Sequence, residues 1–142
     1  MKITTTVAIL LSTFLGLASC GKDNDENQGE PTILGKWRIV NDSVTAGIGP
    51  NIQTQNYIGQ PGDFFDFRTD GKVYTRERSS LDTLDYTVFA GNKITITSFS
   101  WAVNGVYVMS DITQLTVDDA TLYVPNVMNP GGVYERTLHL RR

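Results

Sequence analysis

Residues 64–99 read FFDFRTDGKVYTRERSSLDTLDYTVFAGNKITITSF, and this stretch decides the fold. Leu84, Tyr86 and Val88 recur at every second position; Ile94 and Ile96 point one way, Thr95 and Thr97 the other. A period of two is the pleat of a half-buried strand. Asp70-Gly71 and Gly91-Asn92 are hairpin turn signals, and a further turn falls near Ser79-Ser80. The stretch therefore predicts four strands, 64–67, 72–78, 83–90 and 93–99.

The pattern continues on both sides. Upstream, residues 46–61 are rich in Gly, Pro, Asn and Gln and read as a long loop. Before them, 33–44 is a strand with Trp37 and Ile39 on one face. Downstream, 105–116 alternates until its parity slips between Ile112 and Leu115, which predicts a bulge. Asp118-Asp119 turns the chain into 121–124. Asn129-Pro130-Gly131-Gly132 then turns it into 133–140, with Tyr134, Leu138 and Leu140 on one face. Eight short strands joined mostly by tight turns form an antiparallel meander. A meander has two exposed edges, and closure removes them. The expected fold is all-β, an up-and-down eight-stranded barrel whose interior holds side chains or one small ligand. A β-sandwich is the other architecture such strands build. Residues 32–142 fit one domain.

The first twenty residues follow a different logic. Lys2 supplies a positive start, 7–17 an apolar run, and Leu17-Ala18-Ser19 leads directly into Cys20. The run is too short to span a bilayer, which takes about 20 apolar residues. Small residues before a Cys at this position resemble the lipobox of bacterial lipoproteins. That resemblance implies a signal peptide over 1–19, cleavage, and acylation of Cys20. Two or three acyl chains on one residue anchor firmly, since each buried methylene contributes about 0.8 kcal/mol. Cys20 is the only cysteine, so no disulfide forms within the chain. Residues 21–31, GKDNDENQGEP, are polar throughout and read as a disordered acidic tether. Lys22, Asp23, Asp25 and Glu26 resemble the acidic tag of surface-exported lipoproteins. Gly21 after the Cys argues against retention at the inner membrane. The expected location is the outer membrane, at the cell surface or on its periplasmic face.

Within the domain, Leu34-Gly35-Lys36-Trp37 opens the first strand, with Phe65-Asp66-Phe67 and Asp70-Gly71 following. Tyr86 with Gly91-Asn92, Thr113-x-Leu115 with Asp119-x-x-Leu122, and a closing strand with Leu138 complete the series. This order resembles the lipocalin-like domains of bacterial lipoproteins over most of 33–140. The resemblance implies that Trp37 plugs the closed end of the barrel, with an Arg packed across it. Arg136 and Arg142, on or next to the last strand, are the candidates. It also implies a family whose better-known members carry small apolar molecules. Phe65, Phe67, Tyr86, Trp101, Tyr107 and Arg136 are accordingly the candidate pocket residues. Arg136 stacks on Trp37, snorkels to water, or pairs with a ligand carboxylate.

Other chemistries find little support. The net charge is −3 for the whole sequence, which gives no nucleic-acid footprint. His139 is the only histidine and its parity directs it outward. No Ser sits in a Gly-x-Ser-x-Gly elbow, and no Gly-rich phosphate loop occurs. Asp82/Asp85 and Asp118/Asp119 fall at expected turns, where solvated turn residues outnumber acid–base pairs. Neither a metal, a cofactor nor an enzymatic reaction is expected. The partners are the membrane, through Cys20, and a small hydrophobic or amphipathic ligand. A non-catalytic structural or protein-interaction subunit, docking through its surface or the 46–61 segment, is the alternative.

Overall fold

A computed structural model describes residues 30–97, 109–129 and 132–142. These residues form one antiparallel sheet of nine strands: β1 (Gly35–Gly47), β2 (Gln53–Ile58), β3 (Phe64–Phe67), β4 (Lys72–Glu77), β5 (Ser80–Phe89), β6 (Lys93–Ile96), β7 (Ser110–Leu115), β8 (Asp119–Asn129) and β9 (Gly132–Arg141). From β3 to β9 each strand pairs with the next, β3 pairs with β1, and β9 returns to β1. Eight strands thus close a barrel, and β2 lies outside it as an extra strand.

That extra strand corrects the reading of 46–61 as a long loop. The segment holds a 3-10 turn at Gly49–Asn51 and then β2, which pairs with Asn41–Ala46 of β1. Every side chain of β2 except Tyr57 is exposed. With Tyr57 alone packed toward the core, QTQNYI carries no apolar alternation, and its backbone pairing leaves no trace in the sequence. Strand 121–124 also proves longer. β8 runs through Pro125 to Asn129 because the register shifts between Val124 and Val127. A bulge is one of the few places a residue without an N–H fits a sheet. The slip anticipated in β7 lies between Ile112 and Gln114. Residues 98–108, which the expected fifth and sixth strands share, are outside the described set.

The turns also differ in kind. Around Asp70-Gly71 the connection has three residues, not two: Arg68 N–H donates to Lys72 O at 2.9 Å, and Gly71 takes φ +78°. This is a turn completed by a left-handed residue. The two-residue hairpin lies instead at Arg78-Ser79, with Glu77 opposite Ser80 and φ of 50° and 71°.

Around Trp37 the barrel is packed with side chains. Trp37, Phe67, Val73, Ile94, Ile96, Leu122, Leu138 and Leu140 are buried within it. Trp37 Nε1 donates to Ile33 O at 2.7 Å. The Arg142 guanidinium lies 4.1 Å from the Trp37 ring centroid and donates to the carbonyls of Thr32 and Leu34. Arg142, not Arg136, is therefore the cation over this indole. At the opposite end the upper parts of β1 and β9, flanked by β2 and the end of β8, extend the sheet past the start of β3.

Candidate functional site

One irregularity in β1 builds the upper interior. The β1–β9 register shifts between Ile39 and Asn41. Below the shift, Trp37 and Ile39 face inward; above it, Asp42 does, and Asp42 is buried. A one-residue slip exchanges the two faces of a strand, so an aspartate enters the interior. Opposite it, Arg136 shares the inward parity of Tyr134 and Leu138 on β9, both of them buried.

The two charges meet as a bidentate pair. Arg136 Nε and Nη2 donate to Asp42 Oδ1 and Oδ2 at 2.9 and 2.7 Å. Their side chains are 13% and 5% exposed, so the pair is largely cut off from water and its geometry has to offset desolvation. Glu77 Oε2 lies 3.6 Å from Arg136 Nη2. Burial pushes the Glu77 carboxyl above its ordinary range; Arg136 pulls it down, and Asp42 pushes it further up. Burial also opposes the Arg136 charge, but the hydrogen bonds and charge of Asp42 outweigh it and hold the guanidinium protonated.

Glu77 and Arg136 edge a cavity of about 340 Å³ at the barrel mouth, lined also by Phe65, Thr75, Arg78, Ser80, Asp82 and Leu84. Its walls follow from strand pairing. Phe65, Thr75 and Asp82 form one cross-strand row, with Glu77 and Ser80 the next row up on β4 and β5. Phe65 and Leu84 give an apolar floor, and the carboxylates, guanidiniums and hydroxyls stand above it. A second cavity of about 540 Å³ lies at the lower end, where Ile33, Leu34, Tyr86, Val88, Ile112 and Leu115 give it a mainly apolar lining. At the mouth the buried charges of Asp42 and Arg136 meet Glu77, and a few convergent polar groups are what orient a ligand in a pocket.

Of the six residues expected to line one pocket, the four that are described do not all line the same cavity. Phe65 and Arg136 line the mouth cavity. Phe67 lies beneath it in the core, stacked on Phe65 and edge-on to Tyr86 at 5.2 Å. Tyr86 lines the lower cavity, and its hydroxyl donates to Arg68 O at 2.7 Å. Trp101 and Tyr107 lie outside the described residues, as does Cys20. Asp42, Thr75, Glu77 and Leu84 are site residues that sequence reading missed. Glu77 was within reach, since it shares the parity of Val73 and Thr75.

His139 is exposed, and its Nδ1 lies 3.1 Å from Thr121 Oγ1. The neighbouring aspartates face different ways: Asp82 lines the mouth while Asp85 bonds Lys72 outside the barrel. Asp119 pairs with Arg141 at 2.6 Å. Among the described residues no group of three or more His, Cys, Asp or Glu is placed to hold a metal ion. An eight-stranded barrel of this build is compatible with a lipocalin-like ligand-binding fold. No protein-family model matches the chain, and neither does any curated protein.

Proposed function

We propose that this protein is a non-catalytic, lipid-anchored barrel that binds a small amphipathic molecule at its mouth, held to the outer membrane through an acylated Cys20. The mouth cavity carries the binding half of this reading. Its volume of about 340 Å³ sits at the small end of ligand pockets, about 300–1,000 Å³. Buried core side chains such as Phe67 and Val73 lie beneath it, so a ligand seats on Phe65 and Leu84 rather than running the length of the interior. Filling the cavity with Leu84→Trp tests this. Native mass spectrometry of protein from its own host is expected to show a bound small molecule that the variant loses while keeping its β-sheet circular dichroism. A ligand retained by the filled variant rules the mouth out.

The anchoring half rests on residues 1–20. Mass analysis of the mature protein is expected to begin at Cys20 with acyl chains attached, and Cys20→Ser to move the protein out of the membrane fraction. An unmodified thiol ends that part.

The alternative reading, a protein-interaction subunit, draws on the β1–β2 arm. Ile48, Ile52 and Ile58 are 60%, 43% and 63% exposed there, and β2 ends the sheet order with one edge outside the ladder. Edges of that kind pair with other chains. A photo-crosslinker at Ile58 that captures one reproducible envelope protein favours this reading; no adduct removes it.

A further inference from the structure

The inference rests on the mouth cavity as a ligand site and concerns the charge of what enters. We propose that the cavity selects a small amphiphile with a cationic head, an ammonium seated against Glu77, and rejects a carboxylate of the same size.

The charges decide the sign. Two carboxylates, Glu77 and Asp82, and two guanidiniums, Arg136 and Arg78, line the mouth, and a third carboxylate, Asp42, is buried against Arg136 and neutralises it. Arg136 is committed to Asp42 by two hydrogen bonds of 2.9 and 2.7 Å. A ligand carboxylate would have to draw it away and leave Asp42, 5% exposed, without its cation; that is the costly way to break a buried pair. The Arg78 guanidinium lies over the Tyr57 ring, 4.4 Å from its centroid, turned toward β2. Glu77 differs from Asp42. Its ion-pair contact with Arg136 is longer, 3.6 Å, and its side chain is 31% exposed, open to the cavity. An ammonium there gives Glu77 a short charge-assisted hydrogen bond. The Ser80 and Thr75 hydroxyls, in the same lining, supply acceptors for its other protons. Phe65 and Leu84 meet the alkyl tail below.

The test uses three probes with one tail, octylamine, octanol and octanoate, titrated calorimetrically into the full-length chain carrying Cys20→Ser. The amine is expected to bind about tenfold or more tighter than the alcohol, with octanoate weakest. Glu77→Gln is expected to bring the amine down to the alcohol's affinity. Equal affinities for the three heads, or a preference for octanoate, overturn the cationic selection while leaving the cavity as a ligand site. Unchanged amine affinity in Glu77→Gln overturns the role of Glu77. Failure of all three probes to bind overturns the mouth-cavity reading itself, and this proposal with it. The head-group comparison is made on an unaltered barrel, so it holds whether or not the variant folds.

Discussion

The Asp42–Arg136 pair makes a quantitative prediction about how the barrel is held together. Arg136→Met leaves Asp42, 5% exposed, facing Glu77 with no cation between them. Removing one partner of a buried pair costs about 3–5 kcal/mol. Asp42→Leu strands the guanidinium instead, but Glu77, 3.6 Å from Nη2, takes up part of the charge. The expected cost is then lower, about 2–3 kcal/mol on the same scale. The double variant removes both desolvated charges and replaces them with apolar side chains, an exchange that is often neutral or stabilising. It is expected within about 1 kcal/mol of the parent, so the two changes couple by several kcal/mol, as neighbours in one network do. Urea titration followed by circular dichroism measures this, with the slope m unchanged. In a domain of this size 1 kcal/mol is worth about 4 °C, so the single variants are expected to melt roughly 8–20 °C lower. Asp42→Leu within about 0.5 kcal/mol of the parent, or a double variant as unstable as the sum of the singles, refutes the inward turn of Asp42 at the register shift.

Other consequences are open to simple measurement. The Glu77 carboxyl, raised chiefly by burial, binds its proton more tightly in the folded state. Its contribution is present below the ordinary value of about 4.3 and is lost as pH rises through the raised folded value. The parent's stability is therefore expected to fall relative to Glu77→Gln as pH rises above that ordinary value; a constant difference contradicts this. Arg142→Ala loses the stack on Trp37 and two carbonyl contacts to residues 32 and 34. A drop of about 1–2 kcal/mol in chemical denaturation is expected, along with faster proteolysis ahead of Gly35. Gly132 has φ +104°, and a Cβ there would sit 2.1 Å from Gly47 O, whereas one on Gly49 (φ +53°) meets nothing within 4 Å. Thermal melts are expected to show Gly132→Ala as clearly worse than Gly49→Ala, whose cost is about 1 kcal/mol.

The barrel was legible because most of its strands bury one face and expose the other, a contrast that period-two alternation records. Ile94 and Ile96 against Thr95 and Thr97 carry it plainly, and the slip after Ile112 marked a real shift in register. What escaped has a common cause. β2 buries almost nothing, so its pairing is a backbone affair. Pro125 reads as a strand end unless the bulge beside it is known. The grouping of the candidate residues was hidden for a related reason. Aromatics on different strands look alike in a sequence, while their height in the barrel, which separates Phe65 from Tyr86, depends on register. Asp42 reached the interior through a shift that the run WRIVNDSV does not announce.

The closure of β1 on β9 bears on how the chain comes to its native state. Asp42 and Arg136, whose pair ties the two strands, are 94 positions apart in sequence. β9 seals the barrel and precedes Arg142, the cation that lies over Trp37. A chain emerging from its N-terminus can form the β3–β4 and β4–β5 hairpins early, yet Trp37 stays partly uncovered until β9 arrives. Pairings of such long range are slow to form, and the open intermediate exposes unpaired edges and apolar surface. The domain therefore completes its core only once β9 has been made, and the half-made barrel is the species most in need of protection from its neighbours.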